Sequence, residues 1–212
     1  MLTISGCSSI PYNIGSNFQT TFKAISSLIY GYEDYPISQE LVDEIPYASM
    51  RLKIGKGPAG LMILESVSGK KYTWVSSDGI YLSLMEGRIV KAYGLQNNLV
   101  NFESSDPTFK ELLLTDDLIE SKMRYISLDN PQVFDLPIKV SYKKVGLEQV
   151  NILDRDYELM QIQEKIENTY IRWKFTNSYW VDPETGFVWQ SRQIIAPNLP
   201  PFFMQVTKKP SL

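Results

Sequence analysis

The chain of 212 residues contains no histidine and a single cysteine, Cys7. Without histidine it cannot contain a Ser-His-Asp or Cys-His nucleophile system, and nearly all zinc sites are excluded as well. One cysteine allows neither an internal disulfide nor a thiolate metal cluster. We therefore expect no metal site and no cofactor.

An excess of charge of one sign is also missing, because 21 basic residues face 24 acidic ones. This balance creates no positive field for a phosphate backbone, so nucleic acid is not an expected partner. The chain also lacks a run of about 18 apolar residues, the minimum for a membrane-spanning helix. The apolar content of 43% is enough for one domain with its own core.

The surroundings of Cys7 are similar to a bacterial lipobox, since an aliphatic residue and two small residues, Ile4, Ser5 and Gly6, precede the cysteine. In a lipobox the thiol carries the lipid. Only six residues precede Cys7, and they do not include the basic and apolar regions of a secretory signal. The alternatives are a truncated start, or a chance match and a free thiol near the N-terminus.

Two parts are predicted along the chain: a lipobox and tether over residues 1–17, and a single β-rich domain over residues 18–212. Three helices are expected within the second part. Phe18, Phe22, Ile25 and Ile29 follow a helical period, Ser38 can cap a short helix that Pro46 ends, and Pro107 can occupy a first helical turn. These signals predict helices over residues 17–30, 38–44 and 106–121.

Most of the remaining sequence consists of short β-branched or aromatic runs separated by turn residues. They predict strands over residues 47–54, 60–67, 72–77, 80–84, 88–93, 124–128, 138–145, 149–153, 157–167, 170–180 and 187–195. The run 157–167 alternates imperfectly, and a helix remains an alternative there. The absence of βαβ alternation favours a mainly β fold: a single antiparallel β domain, twisted into a barrel or half-barrel, with a few short helices packed on it.

Aromatic residues make up 12% of the chain. Exposed tryptophan and tyrosine rings stack on sugars, while nearby arginines bind sugar hydroxyls. The alternative is that the rings fill the core and that strand arginines such as Arg88 face solvent or an ion-pair partner. The candidate glycan contacts are Trp74, Tyr81, Trp180, Trp189, Arg51 and Arg192.

Three carboxylates, Asp78, Asp182 and Glu184, lie at or near predicted turns. A glycosidase needs two carboxyl groups about 5–9.5 Å apart in a cleft. Turn carboxylates are usually solvated, whereas a general acid has to be desolvated. We therefore interpret them first as turn formers and predict no catalytic residue.

Several motifs occur in a recognisable order and spacing: IPYAS at 45–49, YTWVSSD at 72–78, GRIV at 87–90, NSYWVD at 177–182 and TGFVWQSRQ at 185–193. In this respect the chain resembles the YjbF and GfcB family of lipoproteins over residues 18–207. The resemblance implies a mainly β, barrel-like fold and a link to exopolysaccharide and group 4 capsule operons of Gram-negative bacteria. It also implies that Cys7 is acylated, and Ser8 after it is similar to what directs such lipoproteins to the outer membrane.

The first functional hypothesis is therefore a lipoprotein that is anchored in the outer membrane through Cys7 and faces the periplasm. It would assist exopolysaccharide or capsule synthesis and export without catalysing a reaction, with a polysaccharide or other proteins of the same export operon as partners. A second hypothesis is a glycan- or lipid-binding module, which would require an apolar cavity or an exposed aromatic row. A third is a hydrolase or lyase that uses the turn carboxylates.

Overall fold

The structure, a computed structural model, describes residues 34–115 and 119–211, with the backbone alone for residues 119–121. It contains the helices α1 (Gln39–Glu44) and α2 (Phe109–Leu114). Its strands are β1 (Ser49–Ile54), β2 (Ala59–Ser68), β3 (Lys71–Ser76), β4 (Tyr81–Met85), β5 (Arg88–Tyr93), β6 (Leu99–Ser104), β7 (Ile119–Asp129), β8 (Gln132–Ile152), β9 (Arg155–Asn168), β10 (Trp173–Val181), β11 (Val188–Gln193) and β12 (Phe202–Lys208). Cys7, the predicted tether and the predicted helix 17–30 lie outside the described residues, so the domain boundary stays a prediction.

All twelve strands belong to one antiparallel sheet in the order β5-β4-β3-β2-β1-β12-β11-β10-β9-β8-β7-β6. The first and last strands pair in the middle of this order, with Leu52 opposite Met204. The two edge strands, β5 and β6, lie beside each other, and the sheet forms a nearly closed barrel. The predicted mainly β fold with a barrel is confirmed.

The barrel interior is filled by alternate side chains of the strands, since successive residues of a strand point to opposite faces. Met50, Met62, Leu82 and Ile162 are fully buried there. Each such side chain stabilises the fold by about 1.5–3 kcal/mol relative to the exposed state. Segment 157–167 is a strand within β9, so the helical alternative for it is wrong.

Helix α1 begins and ends as the sequence predicts. The Ser38 hydroxyl caps it by accepting a hydrogen bond of 3.3 Å from the Leu41 N–H. At its other end, Lys208 Nζ donates to the carbonyl oxygens of Val42 and Ile45 and so fixes α1 to the end of β12.

Helix α2 is much shorter than the predicted helix 106–121. Thr108 caps it in a capping box with Glu111, so Pro107 precedes the cap and does not occupy the first helical turn. From Ile119 onwards the chain is β7, which pairs with β6 and β8. Sheet hydrogen bonding therefore overrides the helical spacing of the second half of this segment.

Two strands, β6 and β12, were not predicted. Strand β6 is an edge strand with an exposed outer surface, which weakens the hydrophobic pattern. Strand β12 does alternate, with Phe202, Met204 and Val206 buried, but it follows a proline-rich stretch that indicates a loop.

The antiparallel order assigns each connection to one of two barrel ends. The connections β2–β3, β4–β5, β6–α2–β7, β8–β9 and β10–β11 lie at one end, together with the end of β12. We call this the mouth end. Among the described residues, no helix is long and apolar enough to cross a membrane.

Candidate functional site

A cavity of about 550 Å³ opens at the mouth end of the barrel. It lies between the β2–β3, β4–β5 and β10–β11 connections, the start of α2 and the end of β12. This volume falls within the range of roughly 300–1,000 Å³ that is typical of small-molecule sites. We call it the mouth cavity, and its apolar wall consists mainly of Tyr72, Trp74, Leu84, Phe109, Phe187 and Val188.

The rim of the mouth cavity is rich in lysine. It contains Lys70, Lys110, Lys209 and one carboxylate, Glu86. Glu86 accepts a hydrogen bond of 3.0 Å from Lys70 Nζ, which raises the pKa of that lysine. Lys209 Nζ lies 4.5 Å from the ring centroid of Phe187. The rim therefore carries an excess of positive charge.

Two glycines allow the walls of the mouth cavity to approach one another. Gly186 has a φ of 75°, and a Cβ there would lie within 3.0 Å of the Lys110 backbone. Gly87 has a φ of 80°, and its Cβ would lie 2.5 Å from Val188. Both positions therefore require glycine for conformational and for steric reasons.

Beneath the cavity lies a group of buried polar side chains around Glu164, which is 0% exposed. The Glu164 carboxylate accepts hydrogen bonds from Arg124, from Tyr142 at 3.1 Å, from Asn177 at 2.8 Å and from Tyr179 at 3.0 Å. We call it the Glu164 cluster, and its members are Arg88, Asp106, Arg124, Tyr142, Glu164, Asn177 and Tyr179.

The charges of the Glu164 cluster balance. Arg88 Nε lies 3.4 Å from a Glu164 oxygen, and Arg124 also donates two hydrogen bonds to Asp106. Two guanidinium groups thus face two carboxylates, as buried charges require.

The electrostatics of the cluster keep Glu164 ionised. Burial alone would raise its pKa, but Arg124 and Arg88 and the hydrogen bonds to it lower the pKa to about 2. Burial raises the pKa of Tyr142 and of Tyr179, so both phenols stay protonated. A saturated carboxylate with a low pKa is poorly suited to act as a general acid.

Phe109 separates the Glu164 cluster from the mouth cavity. The ring centroids of Phe109 and Tyr179 lie 4.6 Å apart. The guanidinium carbon of Arg88 lies 4.0 Å from the centroid of the Phe109 ring. Phe109 is also part of the cavity wall. Helix α2 therefore forms the floor of the cavity and covers the Glu164 cluster.

Of the six candidate glycan contacts, only Trp74 belongs to the mouth cavity, where its side chain is part of the buried wall. Tyr81 points outward from β4 and is 38% exposed. The structure does not bring these two rings together, because Tyr81 pairs with Val75 and neighbouring strand positions alternate between the two faces of the sheet.

Trp180 and Trp189 pack in a second, smaller apolar cluster with Val150 and Leu159. Trp180 Nε1 donates a hydrogen bond of 2.6 Å to Glu148. Both tryptophans therefore have packing roles at the long β8–β9 hairpin, in agreement with the core-filling alternative.

The two candidate arginines lie elsewhere. Arg51 forms an ion pair with Asp34 and contacts Gln205. Arg192 is exposed, and its guanidinium carbon lies 5.6 Å from the ring centroid of Phe175. The six residues do not form one site in the structure, and a glycan contact by any of them stays a prediction.

The turn carboxylates are divided between the two barrel ends. Asp78 accepts a hydrogen bond from Ser76 within the β3–β4 turn, which lies opposite the mouth end. Asp182 accepts from the backbone N–H groups of Glu184 and Thr185 in the β10–β11 turn. Burial would raise the pKa of Asp182, but the hydrogen bonds within the turn lower it. The interpretation as turn formers agrees with this geometry.

One local signal in the sequence pointed to the Glu164 cluster. Arg88 lies inside an apolar strand, and an ion-pair partner was one of the alternatives for it; the structure supplies Glu164. The partner could have been sought in the alternation of β9, where Glu164 falls between the inward-facing Ile162 and Ile166. Among the described residues no group of histidine, cysteine and carboxylate side chains is arranged to hold a metal ion.

Comparison with known proteins adds the family. The chain matches the family described as group 4 capsule polysaccharide lipoprotein GfcB, YjbF over residues 18–207. It is 25% identical over 209 residues to the uncharacterized lipoprotein GfcB of Escherichia coli (strain K12), which covers 98% of this chain and 94% of that protein. It is 23% identical over 196 residues to the uncharacterized lipoprotein YjbF of the same organism, with 92% and 87% covered.

A solved structure shares the fold. The crystal structure of the hypothetical lipoprotein YmcC from Escherichia coli (K12) matches with a TM-score of 0.74 and 23% identity, over 97% of this chain and 100% of that chain. Both the sequence match and the barrel thus agree with the motifs, and the chain belongs to the YjbF family of group 4 capsule polysaccharide lipoproteins.

Proposed function

We propose that this protein is a non-enzymatic accessory factor in exopolysaccharide or capsule synthesis and export, anchored in the outer membrane through Cys7 with its barrel in the periplasm. Family membership supports the link to capsule polysaccharide and to lipidation. The lipobox-like residues before Cys7 and the serine after it, Ser8, support the anchor and its destination.

The observation that carries the non-enzymatic part is the character of the mouth cavity. Its wall is apolar, and the carboxylate at its rim, Glu86, is hydrogen-bonded to Lys70. The cavity contains no pair of carboxylates among its described lining residues, and Glu164 lies below it with both carboxylate oxygens already hydrogen-bonded. Such a cavity is suited to holding a molecule and lacks an acid–base pair to transform it.

The anchor is tested by expressing the chain behind a lipoprotein signal sequence in a strain that lacks its own copy. We expect the wild type to sediment with the outer membrane, Cys7→Ala to stay in the soluble periplasmic fraction or remain unprocessed, and Ser8→Asp to remain with the inner membrane. Ser9→Ala is the matched control and should behave as wild type. Unchanged fractionation of Cys7→Ala would reject the anchor.

The accessory role is tested in the same strains by measuring surface polysaccharide. Loss of the gene should reduce the polysaccharide at the surface, and the wild-type chain should restore it. Normal polysaccharide in the deletion strain would reject the role. Restoration that depends on Asp182 or Glu184, tested as Asp182→Asn and Glu184→Gln, would favour the enzymatic hypothesis instead.

A second candidate function, a glycan- or lipid-binding module, is favoured by the mouth cavity itself. An apolar cavity was one of the two features that this hypothesis called for, the other being an exposed aromatic row, and an accessory factor could act through such a cavity. The two candidates are compatible, because a binding module can also assist export.

A further inference from the structure

The mouth cavity combines an apolar interior with a cationic rim, and this combination defines a class of ligand. Tyr72, Trp74, Phe109 and Phe187 supply large apolar surfaces. Burial of hydrocarbon against such surfaces is favourable in proportion to the area removed from water.

The cavity offers few polar partners to a sugar. The Thr108 hydroxyl already accepts from the Glu111 N–H at 3.1 Å, and the Thr185 hydroxyl accepts from the Phe187 N–H at 3.2 Å. Glu86 is engaged by Lys70. A sugar has a hydroxyl on nearly every carbon and would lose hydrogen bonds to water without replacement, which is costly. A hydrocarbon chain has no such requirement.

Two rim lysines are available for an anion. Among the residues that the structure describes, neither Lys110 nor Lys209 forms an ion pair with a carboxylate, whereas Lys70 does. Lys209 packs on the Phe187 ring at the entrance, and Lys110 lies beside Gly186 in the first turn of α2. A lysine ammonium is a compact positive charge suited to phosphate.

We infer that the mouth cavity binds the hydrocarbon chain of an amphiphile whose phosphate group contacts Lys110 and Lys209. This inference deepens the binding-module candidate and is independent of the anchor at Cys7. Two sources share the required chemistry: a polyprenyl phosphate and a membrane phospholipid.

The test uses the full chain carrying Cys7→Ala, so that no acyl group is attached to it. Calorimetry measures binding of dodecyl phosphate, with dodecanol as the uncharged probe and an acidic oligosaccharide as the glycan probe. We expect saturable binding of dodecyl phosphate, weaker binding of dodecanol and none of the oligosaccharide. Raising the salt concentration should weaken the binding of dodecyl phosphate and leave that of dodecanol unchanged, because salt screens exposed charges.

Substitutions locate the site. Lys110→Gln combined with Lys209→Gln should raise the dissociation constant for dodecyl phosphate by roughly tenfold, because two exposed charge contacts are lost. Lys91→Gln is the matched control, since Lys91 is an exposed lysine on β5 outside the cavity lining. A bromine at the end of the chain should quench tryptophan fluorescence, and Trp74→Phe should remove most of this quenching.

The outcomes separate the inference from its competitors. Equal affinity for dodecyl phosphate and dodecanol, an effect of Lys91→Gln as large as that of the double variant, or binding of the oligosaccharide alone would overturn it. If the variants fail to fold, the comparison of probes and the salt dependence in the unsubstituted cavity still decide the question. Farnesyl phosphate and a lysophosphatidic acid then distinguish the two sources by which binds more tightly. Failure here leaves the fractionation experiment unaffected.

Discussion

Replacing Glu164 with glutamine tests whether the charge of this carboxylate stabilises the barrel. Glutamine preserves size and one carbonyl oxygen but removes the negative charge that faces Arg88 and Arg124. One buried carboxylate, Asp106, would then remain beside Arg124, and Arg88 would lose its carboxylate partner. Removing one partner of a buried ion pair typically costs about 3–5 kcal/mol of unfolding free energy.

The pKa of Glu164 gives a second measure of the same quantity. It lies at about 2 in the folded protein, against an ordinary value of 4.5. Since one pKa unit corresponds to about 1.36 kcal/mol, ionised Glu164 contributes about 3 kcal/mol to stability. Because the pKa is depressed by folding, this contribution is complete above about pH 4.5 and is lost as the pH falls towards 2.

The assay is urea denaturation followed by tryptophan fluorescence and circular dichroism at pH 7 and at pH 3. At pH 7 we expect Glu164→Gln to lose about 3–5 kcal/mol, and at pH 3 the difference from wild type should shrink by about 2 kcal/mol. Glu158→Gln, an exposed position on the same strand, is the control and should change stability by less than about 0.5 kcal/mol. A loss below about 1 kcal/mol at pH 7, or a difference that does not shrink at pH 3, would refute the reasoning.

Three further substitutions test other parts of the mouth end by the same denaturation assay. Gly87→Ala should lower the free energy of unfolding by more than about 1 kcal/mol, because the new Cβ would clash with Val188 and φ is positive. Gly69→Ala is the control: φ is also positive there but the space is open, so the loss should be smaller. Equal losses for the two variants would contradict the steric argument. Thr108→Ala removes the N-cap of α2 and should lower the free energy of unfolding by about 1 kcal/mol. An unchanged free energy of unfolding would show that α2 is held by packing alone. Gln193→Leu leaves the buried Ile89 N–H of β5 and the partly buried carbonyl of Gly87, just before β5, without their partner, and should lower the free energy of unfolding by about 1–3 kcal/mol; a neutral effect would mean that other groups replace these bonds.

Much of the sheet could be predicted because its strands carry their own local signals. The run 88–93 coincides with β5, since the turn residues before it and the alternation within it are both local features. The predicted helix 106–121 was wrong over its second half because the partner strands of β7 are distant in sequence and their hydrogen bonds outweigh local periodicity.

The site was harder to predict than the fold. The mouth cavity is lined by residues from five segments that are far apart in the sequence, and no local sequence pattern indicates that these segments meet. Arg88 illustrates the limit: its position in an apolar strand indicated that it needs a partner, but Glu164 is 76 residues away, and only the barrel brings the two together. The rings of Trp180 and Trp189 were chosen by residue type, and no local pattern indicated that both would pack against the small cluster at the β8–β9 hairpin.

The pairing of β1 with β12 has a consequence for the order in which the protein can form. Every other hydrogen-bonded pair of neighbouring strands joins strands that follow one another in the chain, whereas this pair joins the first strand to the last. A chain that is synthesised from its N-terminus can therefore form two separate antiparallel sheets, β1–β5 and β6–β11, before β12 is available. Strand β12 then joins them, so the barrel closes only once β12 has been made, and the two open sheets remain exposed to aggregation and proteolysis until then.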